Sequence, residues 1–248
     1  MKHVAFVSRI LLRGLLLITS LAFAFVSGCS SKTSPGPSTS FAGRAAGGRN
    51  EASAAINKGN QMLSDSINKT TSPFHLSYSS QENINPKFPQ TAGSKPEVGP
   101  VQMEADIAPD QVSIMNNTNG KKTETKASKE DQLAMSMAKL NFLGVLVNST
   151  FSLACGGVAA RPAGSDRVGN FTADKYDIDT SHLSGPERAG FEAATAMLGA
   201  RAKIESVKGS AWIDHASGLL LKFNLDTEFT DPGGERWKEH REMVITPQ

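Results

Sequence analysis

The sequence predicts an α+β fold, in which helices pack on one face of an antiparallel sheet. Three kinds of pattern indicate this fold. Apolar residues alternate with polar ones around Leu76, Met103 and Phe223, as they do in half-buried strands. Apolar residues at helical spacing precede or interrupt these strands. Tight-turn sequences such as Asn119-Gly120 link successive strands, and turns of this kind join antiparallel neighbours.

The first half of the chain is predicted to form one helix and a strand meander. Small or apolar residues recur at helical spacing between Asn50 and Lys69: Ala52, Ile56, Gly59, Leu63 and Ile67. Alternation then predicts a strand that begins at Phe74, another from Val101 to Ile107, and a third around Val112. The proline-rich residues 81–100 indicate a loop. The polar segment Lys121–Lys126 is predicted to return as an edge strand.

Two more helices are predicted in the middle of the chain. Ser128 and Asp131 open the first, whose apolar stripe is expected to be buried: Leu133, Met137, Leu140, Leu143 and Val147. Alternation then predicts two strands, the first with Phe151, Leu153 and Cys155 and the second with Tyr176 and Ile178. The capping box Ser184-Gly185-Pro186-Glu187 starts the other helix, which is expected to bury Phe191, Ala194 and Leu198.

The last third of the chain is predicted to be a run of antiparallel strands. One long strand presents a continuous apolar face: Leu219, Leu221, Phe223, Leu225, Thr227 and Phe229. His215–Gly218 forms the hairpin before it, and Asp231–Gly234 turns the chain into a final strand with Trp237, Met243 and Ile245. On that final strand Glu239 and His240 point to opposite faces, and the charged run is predicted to be solvated.

The N-terminus has the features of an export signal. Lys2, Arg9 and Arg13 precede an apolar run of 13 residues from Gly14 to Val26. This run can engage the export machinery, but it is too short for a membrane-spanning helix, which needs about 20 residues. Residues 1–28 are therefore predicted to be a signal peptide.

The sequence Val26-Ser27-Gly28-Cys29 at the end of this run resembles the lipobox of bacterial lipoproteins. The resemblance implies cleavage before Cys29 and attachment of diacylglycerol to its sulfur. Each buried methylene contributes about 0.8 kcal/mol, so two or three acyl chains hold a protein on a membrane. Ser30 resembles the sorting signal for the outer membrane, in a host that has two membranes. An ordinary secretory signal with an incidental cysteine is the alternative.

The composition after the signal indicates a tether and one domain. Residues 29–49 comprise the lipidated Cys29 and a segment rich in Ser, Gly, Ala and Pro, which cannot bury enough surface to fold and is predicted to be flexible. Residues 50–248 have a length that suits one domain or at most two small ones, and we predict one. The mature chain keeps 23 of 26 basic side chains against 24 acidic ones, which argues against nucleic-acid binding. Cys155 has no intramolecular disulfide partner.

The order of elements and one late hairpin resemble those of the LolA/LolB and LppX/LprG group of envelope lipoproteins. The hairpin comprises Gly209–Asp214, Ser217-Gly218-Leu219 and Leu221-Lys222. The resemblance implies an unclosed antiparallel β half-barrel whose concave, apolar face is covered by helices and binds acyl chains. Apolar residues of two strands are expected to line the lipid site: Met103, Ile107, Leu219, Leu221, Phe223 and Leu225.

We therefore expect a membrane-anchored cell-envelope lipoprotein that binds or carries a lipid or a lipidated partner in this concave pocket. The alternative is a lipoprotein that carries nothing and acts as a scaffold for protein contacts, because a core filled by helix side chains has the same alternation as a hollow one. No catalytic, metal or cofactor role is expected. Glycines around Ser165 do not form a nucleophile elbow, and neither a P-loop nor a dinucleotide fingerprint is present.

Overall fold

The computed structural model describes residues 42–69, 73–83, 100–196, 203–230, 233–234 and 236–248. These residues belong to one compact unit. The predicted signal peptide, Cys29 and residues 30–41 of the tether lie outside the described residues. The same holds for Leu198 and for most of the proline-rich loop.

In the part of the chain that the structure describes, nine antiparallel strands form one sheet. They are β1 (Phe74–Asn83), β2 (Val101–Ile107), β3 (Gln111–Thr118), β4 (Lys121–Ser128), β5 (Ala160–Val168), β6 (Phe171–Asp179), β7 (Lys203–Asp214), β8 (Leu220–Thr230) and β9 (Arg236–Pro247). The order across the sheet is β4-β3-β2-β1-β9-β8-β7-β6-β5. The first and last strands in sequence therefore pair at the centre, while β4 and β5 are the edges. The predicted α+β class with an open, half-barrel-like sheet is confirmed.

Three helices cover one face of this sheet, which we call the inner face. They are α1 (Ala42–Lys69), α2 (Gln132–Gly156) and α3 (Gly185–Thr195). One hydrophobic core contains side chains from all three helices and from most strands. The largest fully buried helix residues are Ile56, Leu63, Ile67, Phe142, Leu146, Leu153 and Phe191. Burial of these side chains on the inner face provides the main driving force for the fold.

Helix α1 matches the predicted stripe but is longer than predicted. Its stripe from Ala52 to Ile67 is buried as expected. The helix begins at Ala42, so residues 42–49 belong to it and not to the tether. Alanine and arginine are good helix formers, and the Ala and Arg residues here compensate for the three glycines of the segment.

Helix α2 continues through the segment that alternation predicted to be a strand, so the prediction for Phe151, Leu153 and Cys155 is wrong. The hydroxyls before this segment explain the difference. Oγ of Ser149 donates to the carbonyl of Val145 at 2.7 Å, and Oγ1 of Thr150 donates to that of Leu146 at 3.0 Å. These bonds satisfy the two buried hydroxyls within the helix, so Ser149 and Thr150 do not interrupt it.

Strand β5 was not predicted. Eight of its nine residues are exposed or half-buried, so no alternation marks it. The pairing of β5 with β6 is irregular between Pro162 and Ser165, and Gly164 adopts φ 96° there. A proline and an irregularity protect a sheet edge from pairing with other chains. At the other edge, the predicted Asn119-Gly120 turn has φ of 54° and 78°, and polar β4 is an edge strand as predicted.

Candidate functional site

Four of the six predicted lipid-lining residues lie together on the inner face. Met103 is on β2, and Ile107 ends the same strand. Phe223 and Leu225 are on β8, across β1 and β9 from them. All four are buried in the core under the helices.

A β-bulge places Leu221 on the outer face, so it cannot line the inner one. Ile213 on β7 is paired with Leu220, and Trp212 is paired with Lys222, which leaves Leu221 as the extra residue. Leu221 packs with Trp212 and Ala173 in a separate cluster outside the sheet. Leu220 lies in the core, in the place that was predicted for Leu221. The sequence contains a sign of this irregularity, because three consecutive leucines, 219–221, cannot satisfy an alternation of period two.

Leu219 precedes β8 and differs from the other predicted lining residues. It is half-buried and packs against both the core and the outer cluster. Its position at the end of the hairpin is fixed by Asp214, whose backbone N–H donates to the Leu219 carbonyl at 2.8 Å. Leu219 therefore borders the inner face and does not line it.

Helix side chains fill the concave side of the half-barrel. Leu76 is on β1, Ala105 is on β2, and Phe223 and Leu225 are on β8; each of the four is 0% exposed. Burial this complete means that neighbouring atoms contact each side chain on all sides. In this conformation an acyl chain could reach the inner face only if a helix moved.

Helix α2 turns the opposite face to the sheet from the one predicted. Its buried apolar residues are Met135, Ala138, Phe142, Leu146, Leu153 and Cys155. The predicted stripe is mostly exposed: Leu133, Met137, Leu140 and Val147 are 44–72% accessible. We call these four residues, with Gly144, the outer stripe. Both stripes have helical spacing, so periodicity could not decide between them. The aromatic Phe142 belongs to the stripe that is buried.

Helix α2 is thus apolar on two sides. Lys139 is its one charged residue. By length and composition, Gln132–Ala159 is the one segment among the described helices that could cross a membrane. More than half of its most apolar part is buried inside the domain, as in a core helix of a soluble protein.

A buried ion pair lies on the inner face in the middle of the sheet. Glu239 and Arg241 on β9 are 3% and 8% exposed, and Nε of Arg241 donates to Oε1 of Glu239. Ser80 on β1 also donates to Oε1, at 2.8 Å. Arg241 reaches the Ser149 carbonyl of α2 at 3.5 Å. The pair therefore links three parts of the fold, and the prediction of a solvated run is wrong for these two residues.

Thr227 is the cross-strand neighbour of Glu239 on β8. It is fully buried, and its Oγ1 has no hydrogen-bond partner in the described part of the chain. A buried hydroxyl without a partner is costly, by about 1–3 kcal/mol. Four polar residues thus lie together on the inner face: Ser80, Thr227, Glu239 and Arg241. They are the part of this face that could interact with a polar portion of a ligand.

Histidines on the outer face pair with neighbouring carboxylates. His240 Nδ1 lies 2.8 Å from Asp226, and His215 Nδ1 lies 3.1 Å from Asp174. His75 lies between Asp106 and Glu104, and its hydrogen bond to Asp106 is the main cause that raises the pKa of its imidazole. Within the described ranges, no group of three or more His, Cys, Asp or Glu side chains could hold a metal ion.

The site of this chain therefore consists of an apolar inner face with a polar group at its centre, covered by a helix that is apolar on both sides. No protein-family model matches the chain, and no curated protein matches it at a significant level.

Proposed function

We propose that the chain is a lipid-anchored lipoprotein of the cell envelope, in which the half-barrel binds a lipid or a lipidated partner on its inner face. The observation that carries this proposal is helix α2, which covers the inner face and is apolar on both sides. Its inner side chains occupy the place that acyl chains would take. A ligand would bind there by displacing α2 from the sheet, and the outer stripe, which is already exposed, would lose no contact in this movement.

Exchange between helix and ligand is energetically feasible. Apolar area is stabilised by burial at about 25 cal/mol per Å², whether a side chain or an acyl chain covers it. A ligand that replaces α2 on the inner face therefore restores most of the burial free energy that is lost when the helix leaves. The polar residues around Arg241 also support the proposal. When α2 is displaced, the guanidinium of Arg241 could pair with a phosphate or carboxylate headgroup.

A second candidate function is a scaffold for protein contacts. The complete burial of inner-face residues such as Phe223 and Leu225 favours it, because a close-packed core has no room for a ligand. In this case α2 stays on the sheet, and the domain offers its outer surfaces to partners.

Two tryptophan substitutions on the same strand distinguish the two functions. Leu225 and Leu221 are both fully buried, but Leu225 lies in the core on the inner face whereas Leu221 lies in the outer cluster. Leu225→Trp and Leu221→Trp are each expected to lower the free energy of unfolding by about 1–3 kcal/mol through overpacking. For a carrier, the lipid bound per protein falls in Leu225→Trp and stays at the wild-type value in Leu221→Trp.

The measurement is mass spectrometry of lipids extracted from the unlipidated mature chain, secreted through an ordinary signal peptide and purified without detergent. Unfolding is followed on the same samples. Wild-type protein that contains no lipid would leave the scaffold as the function. An equal loss of lipid in both variants would mean that binding depends on stability and not on the inner face.

A cysteine substitution tests the anchor. Cys29→Ser removes the sulfur that accepts diacylglycerol, so the protein is expected to remain an uncleaved precursor without acyl label. The wild type should incorporate a fatty-acid probe and partition into detergent. Cys155→Ser is the matched control and should be labelled like the wild type, since Cys155 is buried in the domain. Normal maturation of Cys29→Ser would contradict the lipobox assignment.

A further inference from the structure

The outer stripe is an apolar surface that nothing in the described part of the chain covers. Its residues recur at helical spacing, so they share one side of α2. From Leu133 to Val147 the stripe extends for about 21 Å along the helix. Ser136 and Asn141 are also exposed on α2, and both are uncharged.

We propose that the outer stripe lies in the interfacial region of the bilayer to which the chain is anchored. This proposal rests on the proposed lipid anchor, and it names the bilayer surface as a binding partner of α2. The acyl chains on Cys29 hold the chain on the membrane, and the outer stripe then orients the domain on it. The helix lies parallel to the surface and inserts its four large apolar side chains among the headgroups and upper acyl chains.

The length of the tether brings the stripe within reach of the membrane. Helix α1 begins at Ala42, thirteen residues after Cys29. If this segment is as flexible as its composition predicts, a chain of its length spans about 20 Å on average, and its maximum extension is about 45 Å. Helix α1 packs against α2, so the tether joins the domain through a helix on the same side of the sheet as the stripe. Tethering raises the effective concentration of the surface to about the millimolar range, so weak insertion is enough.

Charge and area also favour a bilayer over a second copy of the chain. Helix α2 contains no acidic residue, so the helix itself carries no charge that anionic headgroups would repel. The stripe is about 21 Å long and about 10 Å wide, or roughly 200 Å². A stable protein interface buries about 800 Å² on each partner, which is far more. A narrow apolar strip on a helix is, in contrast, enough for insertion into an interface.

An environment-sensitive fluorophore at Leu140 tests the proposal. The probe is attached to Leu140→Cys, in a Cys155→Ala background, and the full mature lipoprotein is reconstituted into vesicles of phosphatidylethanolamine and phosphatidylglycerol. We expect a blue shift of the emission, and loss of emission when the vesicles contain brominated acyl chains. The matched control is Met115→Cys, because Met115 is also an exposed apolar residue but alternates with the buried Val112 and Ile114 on β3, and so lies on the face of the sheet opposite to α2. Its emission should stay that of a water-exposed probe.

A second variant shows whether the stripe itself causes the insertion. With the probe at Val147→Cys, the double substitution Leu133→Asp and Met137→Asp should abolish both the blue shift and the quenching. Both substituted residues are exposed, so the fold tolerates the charges, and circular dichroism checks this. Emission at residue 140 that resembles the Met115 control overturns the proposal. A blue shift without quenching by brominated lipid also overturns it, because a protein partner then covers the stripe.

Failure of the anchor gives a different result. If Cys29 carries no acyl chains, the protein does not float with vesicles through a density gradient as an anchored protein does, and the proposed function fails. The same labelled protein is then added to preformed vesicles. Quenching of the probe at residue 140 would still support insertion of the stripe, and no quenching would overturn the insertion. An anchored protein that floats but shows no quenching overturns only the insertion of the stripe.

Discussion

Arg241→Met is expected to lower the free energy of unfolding by about 3–5 kcal/mol. The substitution leaves the Glu239 carboxylate buried without the guanidinium beside it, and an unpaired buried charge is strongly destabilising. Met has nearly the same length as the aliphatic part of Arg, so lost packing contributes little. Chemical denaturation followed by circular dichroism measures the loss.

Two variants control this prediction. Glu239→Gln combined with Arg241→Met removes both charges, so it is expected to lose much less stability than the single variant. Lys238→Met removes an exposed cation of the same strand, whose ion pair with Glu228 has a distance of 2.6 Å. A surface pair of this kind contributes at most about 1 kcal/mol. If Arg241→Met were no more destabilising than Lys238→Met, the pair would not be buried in solution.

Gly209→Ala is expected to lower the free energy of unfolding by about 3 kcal/mol or more. Gly209 on β7 has φ 147°, and a Cβ there would overlap the carbonyl oxygen of Asn224 and lie 2.9 Å from its carbonyl carbon. The obstacle is the backbone of the paired strand β8, which cannot move aside as a side chain can. Backbone strain and overpacking each cost about 1–3 kcal/mol, and here they add.

Gly144→Ala is the matched control, and it is expected to have the opposite sign. Gly144 is in the interior of α2, and a Cβ there has no atom within 4 Å. Alanine in a helix interior is more stable than glycine by about 0.5–1 kcal/mol. Thermal unfolding of the two variants under the same conditions tests both expectations. A loss of stability in Gly144→Ala would contradict the open space on the outer stripe.

The fold class could be predicted because local patterns are strong in most of the sheet. Alternation in β1, β2 and β8 reflects strands with one covered face, and the tight turn at Asn119-Gly120 requires the positive φ that these residues adopt. Edge strand β5 shows the limit of this reasoning. A strand without a covered face has no reason to alternate, so only its pairing with β6 identifies it.

The candidate site was predicted only in part, since its remaining features depend on long-range contacts. Glu239 and Arg241 were expected in water, because isolated charges are rarely buried. Each is stabilised inside by the other, and Glu239 also accepts a hydrogen bond from Ser80, which is 159 residues away in the chain. A sequence pattern within one segment cannot indicate a pairing between residues so far apart in the chain.

By itself, the sequence determined which segments are amphipathic, where the chain turns, and that its N-terminus resembles a lipoprotein signal, because each property depends on neighbouring residues. The tertiary structure alone decided which side of α2 faces the sheet and that Leu220, not Leu221, enters the core. Helix α2 carries two apolar stripes of equal spacing, and a run of three leucines fits either face of a strand. In both cases local preferences are balanced, and the side that packs more completely against the rest of the fold is the one that is buried.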